Sequence, residues 1–369
     1  MELEELLPFI QAIHGHPTIN GFDVGNGRLP YESMTMLYST LATLPALESI
    51  SLYSSGQQIR PEDKSSLASH TSLTELLRVP SLRCVCVQGL SFTPALCQAT
   101  ANALLEGTAI THLEFRYCSF SAEGRADMMA NALSRNTSVS HIKVVSCLDQ
   151  GLFDALATAL TSNSTLRRLE LRWQGSDDNA HLSRVFLALG KNSGIKTVSL
   201  DGFVSIDESL CIAMKDGLRM NTTLESLELN RVQLTDDNSD LWSRALSFLR
   251  INNSLKSFMV TLWDFPTESR ASAFRTDIAA MLQDNASLES LSILGCWIES
   301  KTGDYIALIT ALIHNTTLNS IIFQYDGSLL HLTDDEDKQM AVLLKKNYAL
   351  ESLSDIDQGG DTGAILRLN

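Results

Sequence analysis

The chain has 369 residues, 44% hydrophobic and 19% charged, which is apolar material enough for a continuous core. Its formal net charge of −15 argues against nucleic acid or an anionic membrane surface as the main partner. No apolar run is long enough to span a bilayer, and the acidic start Met1-Glu-Leu-Glu-Glu-Leu-Leu lacks the basic region of a secretory signal, so a cytoplasmic protein is expected.

That start already has the pattern of a helix, one half of a first repeat. From there a strand phrase returns at intervals of about 29 residues. Aligned on its first apolar residue, the series runs Ile19, Leu47, Leu82, Ile110, Val139, Leu166, Ile195, Leu224, Leu255, Leu288, Leu318 and Leu350. The clearest copies begin Asn163-Ser-Thr-Leu, Asn221-Thr-Thr-Leu, Asn285-Ala-Ser-Leu and Asn315-Thr-Thr-Leu, with looser ones at Asn136, Asn192 and Asn252. A helical stretch ending in Ala-Leu precedes most anchors, as at Ala103-Leu104, Ala132-Leu133, Ala159-Leu160 and Ala311-Leu312. Apolar residues there fall at helical spacing, for instance Phe153, Leu156, Ala157 and Leu160. The unit containing Arg60 to Val79 is long enough for a looped insertion.

Each unit is thus a strand, a loop and a helix that bury their apolar sides only against neighbouring units. Strands stack about 4.8 Å apart and helices about 10 Å apart, so a stack with all strands on one side must bend with the strands inside. The pattern resembles the ribonuclease-inhibitor-like subclass of leucine-rich repeats, over nearly the whole chain. That resemblance implies an α/β curved leucine-rich-repeat solenoid, a horseshoe of about 12 repeats, with parallel strands on the concave face and helices on the convex one. No linker or composition shift is visible, so a single domain over residues 1–369 is expected, with possible capping segments at 1–18 and 354–369.

Repeat grammar accounts for much of the unusual chemistry. Ser176-Asp-Asp178, Thr235-Asp-Asp237 and Thr333-Asp-Asp-Glu336 stand before helical segments, where acids cap free N–H groups. Cys118, Cys147 and Cys296 fall in the loop slot that this repeat class fills with a buried Asn or Cys, and Cys97 and Cys211 lie on helices as small core residues. The seven cysteines, an odd number, fit a reducing compartment. The Asn-x-Ser/Thr sequons all follow a helix, where Asn tolerates the left-handed conformation that ends it and the hydroxyl bonds nearby backbone. They are repeat grammar and not glycosylation sites.

In the strand phrase, residues flanking the second and third apolar positions point away from the core. Three consecutive strands then present a charge-rich surface. The fourth shows His112, Glu114 and Arg116 with Tyr117 at its end; the fifth shows His141 and Lys143; the sixth shows Arg168, Glu170 and Arg172 with Trp173 at its end. Arg, Tyr and Trp dominate interface hot spots, which makes this the candidate partner face. The alternative is a solvated face whose charges pair across strands. A second, apolar surface comprises Met259, Leu262, Trp263, Leu294, Trp297, Ile322 and Tyr325, with Met259, Leu294 and Ile322 in outward columns. Cys84, Cys86, His112 and His141 lie close enough in the register to raise a zinc site, against which Cys-x-Cys sets its sulfurs too far apart. No metal or cofactor is expected.

Nucleotide-binding and hydrolase signatures are absent from the sequence. The expected function is a non-enzymatic scaffold that binds a protein partner on the concave strand face. The alternative is a GTPase-activating protein acting in trans on a small GTPase, for which Arg116, Arg172 and Arg231 follow strand ends. An inhibitor of a basic enzyme is a third possibility, permitted by the acidic charge.

Overall fold

A computed structural model of the chain describes residues 3–25, 31–53, 66–90, 92, 94–120, 125–146, 150–172, 179–233, 239–264, 268–295, 306–324, 338, 342, 352–355 and 365–367. The chain divides into two units, Met1–Trp173 and Gln174–Asn369, and each repeats one alternation of helix and strand.

The first unit runs α1 (Leu3–Ile13), β1 (Gly21–Gly25), α2 (Tyr31–Leu41), β2 (Ser49–Tyr53), α3 (Ser66–Leu77), β3 (Cys84–Gln88), α4 (Pro94–Leu105), β4 (His112–Arg116), α5 (Arg125–Arg135), β5 (His141–Val145), α6 (Gln150–Leu160) and β6 (Arg168–Arg172). The strands pair parallel in sequence order from β1 to β6. The second unit runs α7 (Asn179–Leu189), β7 (Thr197–Ser205), α8 (Glu208–Met220), β8 (Ser226–Gln233), α9 (Ser239–Leu246), a 3-10 turn at Ser247–Arg250, β9 (Ser257–Asp264), α10 (Glu268–Asp284), β10 (Ser290–Gly295), α11 (Ile306–His314), β11 (Ser320–Gln324), β12 (Ser352–Asp355) and β13 (Ile365–Arg367). Strands β7 to β12 are again parallel neighbours in order. This is the leucine-rich-repeat architecture. Strand β13 lies in the segment expected to cap the chain, and it pairs antiparallel with β12, Leu353 opposite Leu366. An added strand occupies an edge that would otherwise offer unpaired backbone.

The repeat grammar has a hydrogen-bond basis. Each strand from β1 to β12 begins two residues after its anchor, and anchors such as Leu47, Leu82, Ile195 and Leu318 are wholly buried. Asn163 illustrates what precedes them. Its backbone N–H bonds Ala159 O at 2.9 Å, completing the last helical turn. Its Oδ1 accepts from Thr165 N (2.9 Å) and Leu166 N (2.8 Å), turning the chain into the strand. Its Nδ2 donates to Leu133 O at 2.6 Å and Asn136 O at 3.1 Å, both in the previous repeat. The Leu carbonyl is one of the helix-end acceptors that has no intrahelical donor.

The same bond recurs from Asn136 to Leu104 O, Asn221 to Leu189 O, Asn252 to Leu218 O, Asn285 to Leu249 O and Asn315 to Leu282 O. These asparagines and Asn192 are buried. The hydroxyl two residues on also reaches back, as Thr165 Oγ1 does to Asn136 O (3.1 Å) and Ser287 Oγ to Asn252 O (2.9 Å). The expected left-handed Asn is corrected here: Asn221 has φ −74° and ψ 127°, an extended conformation. Side-chain bonds to the neighbouring repeat, and not a left-handed backbone, close the helix end. A glycan on these Nδ2 atoms would displace those bonds.

Cys118 is buried and its thiol donates to Val87 O (3.3 Å), the expected role of the loop slot, while Cys97 and Cys211 are buried helix residues. Cys147, Cys296, the looped segment beginning at Arg60, and the acidic helix starts at Ser176–Asp178, Thr235–Asp237 and Thr333–Glu336 lie outside the described residues. A cap of the expected kind is described at Asp207, whose Oδ1 accepts from Leu210 N at 2.8 Å. Among the described residues no helix is long and apolar enough to cross a membrane.

Candidate functional site

Parallel pairing sets the outward residues of β4, β5 and β6 in three columns. The first is His112, His141, Arg168; the second is Glu114, Lys143, Glu170; the third is Arg116, Val145, Arg172. The expected patch is therefore contiguous, with buried Val145 interrupting its third column. Trp173 lies outside the described residues. Tyr117 follows β4 with φ 51° and is 55% exposed. Left-handed backbone is costly for a bulky side chain, on the order of 1–2 kcal/mol. Gly89 occupies the equivalent slot after β3 with φ 68°, and Ser146 the one after β5 with φ 48°.

The charges pair across the strands, as the alternative reading held. Glu114 Oε1 lies 2.8 Å from Arg116 Nε and 3.5 Å from Lys143 Nζ. Glu170 Oε1 lies 2.6 Å from Arg168 Nε and 3.2 Å from His141 Nε2, and its Oε2 is 3.6 Å from Lys143 Nζ. Lys143 thus bridges two carboxylates from the strand between them. The His112 and His141 rings meet edge to face, centroids 5.0 Å apart, and His112 Nδ1 is 2.8 Å from Thr111 Oγ1.

Burial pushes the Glu114 carboxyl up, but the bonds and charges of Arg116 and Lys143 outweigh it and hold the group below the usual carboxylate range. Glu170 behaves likewise, its burial overcome by Arg168, His141 and Lys143. His141 is held below the ordinary imidazole value, first by burial and then by His112 and Arg168, against the opposing pull of Glu170. Burial and the Glu114 carboxylate raise the Cys86 thiol to about 11, so it stays protonated at neutral pH.

His112, Glu114, Arg116, His141, Lys143 and Glu170 of the patch line a groove of about 540 Å³. It reaches back to Asp23 of β1, past Ser51 and Tyr53 of β2 and Cys84, Cys86 and Gln88 of β3. Sequence reading missed Asp23, Tyr53 and Gln88, although they occupy the same outward columns; they stand one to a strand, without the run of charge that drew attention to β4–β6. Cys84 does lie beside His112 in register, as expected, but Cys86 faces Glu114. Among the described residues no group of three or more His, Cys, Asp or Glu side chains is placed to hold a metal ion.

The second unit is different. Its first outward column is Thr197, Ser226, Ser257, Ser290 and Ser320, all small hydroxyls. Met259, Leu294 and Ile322 face outward and are half-buried, but Ser292 separates Met259 from Ile322, and Leu294 sits in the next column opposite Thr261 and Gln324. No continuous apolar strip joins them. Leu262 and Trp263 fall on β9, while Trp297 and Tyr325 lie outside the described residues. Of the three strand-end arginines, Arg116 is held by Glu114, and Arg231 Nε lies 2.6 Å from Asp201 Oδ1 across β7 and β8.

No family model matches the chain, and no curated protein matches it. Among solved structures, the chain is similar to leiomodin-1 actin-binding site 2, with 19% identity over 44% of this chain and 89% of that one and a TM-score of 0.32. It is also similar to the protein of the TLR13–ssRNA13 complex, with 14% identity over 86% of this chain and 41% of that one and a TM-score of 0.42.

Proposed function

We propose that the chain is a non-enzymatic scaffold of the ribonuclease-inhibitor-like type whose protein partner docks on the outward face of β1–β6. The observation that carries this reading is Tyr117: a bulky aromatic held in left-handed backbone and 55% exposed, beside the charge-rich groove. The left-handed slot is a feature of these strand ends, shared with Gly89 and Ser146 and used for a backbone bond to the next strand. What supports a contact role is an exposed aromatic ring kept where a glycine is the easiest fit. Tyrosine and arginine are among the side chains enriched at interface hot spots. The helix of about three turns in most repeats supports the subclass assignment.

Affinity capture with the intact chain tests the reading against a Tyr117→Ala, Arg172→Ala variant whose thermal unfolding is checked in parallel. Partners that disappear from the folded variant and bind the unsubstituted chain directly once purified support it. An identical set of partners would place the interface elsewhere.

A further inference from the structure

His112, His141 and Arg168 stand side by side at the starts of β4, β5 and β6; the two histidines line the groove and Arg168 adjoins it. The groups around them are already committed. Glu114 is shared by Arg116 and Lys143, and it faces Cys86 on β3. Glu170 is shared by Arg168, His141 and Lys143. Cys84 is the neighbour of His112 on the β3 side. The His112 ring meets the Thr111 hydroxyl and the His141 ring.

Within the groove lining, Asp23, Glu114 and Glu170 stand against Arg116 and Lys143, a negative balance while both imidazoles are neutral. Protonation of both reverses the sign. Two imidazolium rings 5.0 Å apart beside a guanidinium would repel one another with only the Glu170 carboxylate to answer them, which leaves room for a second anion on the row.

We propose that this row seats a carboxylate from an acidic segment of the protein partner, taken up together with a proton from solvent onto an imidazole nitrogen. The inference rests on the proposed docking face and names the chemistry it accepts. Each carboxylate placed there favours the protonated ring, and the protonated ring favours the carboxylate. Binding is then tighter in mild acid, by up to about tenfold per pH unit for each proton taken up. Arg168 at the end of the row is already paired with Glu170, so preference for acidic over basic segments comes with the added protons and is strongest in mild acid.

The probe is rhodamine-labelled hexaglutamate, titrated with the intact chain at about pH 5.5 and about pH 7.5, either side of the ordinary histidine range. Fluorescence anisotropy should show binding at least about tenfold tighter at the lower pH. The His112→Gln, His141→Gln variant should flatten that ratio. Calorimetry of the unsubstituted chain in two buffers of different ionisation enthalpy should show net proton uptake, which decides the matter even if the variant fails to fold. Binding with no pH dependence, no proton uptake, no binding of hexaglutamate, or equal binding of hexalysine would each overturn the carboxylate seat. Partner capture that still depends on Tyr117 and Arg172 would leave the docking face standing without it.

Discussion

Gly217 of α8 packs against the carbonyl of Phe186 in α7 so closely that a β-carbon on Gly217 would collide with that oxygen. One on Gly190 would come within 3.0 Å of the Gly217 Cα. The helices of adjacent repeats approach here through two glycines.

Helix propensity alone says that Gly217→Ala stabilises α8 by about 1 kcal/mol. The packing says the opposite: the two helices must separate, at a cost on the order of 1–3 kcal/mol. We expect a net loss of stability in urea unfolding of the variant. A gain would show that the helices shift freely.

The asparagine ladder gives a test with a chemical control. Asn163→Ala removes at least three acceptor and two donor contacts in a buried site and should cost at least about 2 kcal/mol. Asn163→Asp keeps the acceptor but turns a carboxylate toward the Leu133 and Asn136 carbonyls. It should be at least as harmful at neutral pH and less so in acid, where a protonated carboxyl can donate. An Asp variant as stable as the native chain at neutral pH would mean the Nδ2 bonds contribute nothing.

How far all this was legible varies with the range of the interaction. The strands from β1 to β12 begin two residues after Ile19 through Leu350, because a period-two strand burying alternate residues leaves an unambiguous anchor in sequence. The positions of the asparagines were equally plain. Their conformation was not, since the deciding bonds run from Asn163 to carbonyls one repeat away, which local backbone preference cannot register. The outward columns on β4–β6 followed from the same alternation. What escaped was the sharing of Glu170 among Arg168, His141 and Lys143, which depends on side-chain rotamers, and the groove's extension to Asp23.

Tyr117→Gly separates strain from contact. Glycine relieves the left-handed backbone, offset by its larger unfolded-state freedom, so a stability gain of about 1 kcal/mol or less is expected. Tyr117→Ala keeps the strain and removes the ring. Thermal unfolding should rank glycine above the native chain, while partner capture falls with both. A clear destabilisation by glycine would make the ring structural.

The ion network around Glu170 predicts a two-stage loss of stability on acidification. His141 has a folded pKa below its unfolded one, so in the range beneath the ordinary histidine value of about 6.5 the unfolded state binds the proton first and stability declines. Glu114 and Glu170 are depressed carboxylates; their contribution is present above the ordinary value of about 4.3 and is lost as pH falls through the folded values. Glu170→Gln removes one contributor to the second stage and also the group that favours charged His141. The variant should therefore be less stable than the native chain at pH 7, with the gap first widening as His141 charges through the histidine range and then narrowing by about pH 3 as the native carboxylate protonates. Urea unfolding at the two pH values measures that gap. If it is as wide in acid as at neutrality, Glu170 acts through packing, and its charge is not what holds β5 and β6 in this arrangement.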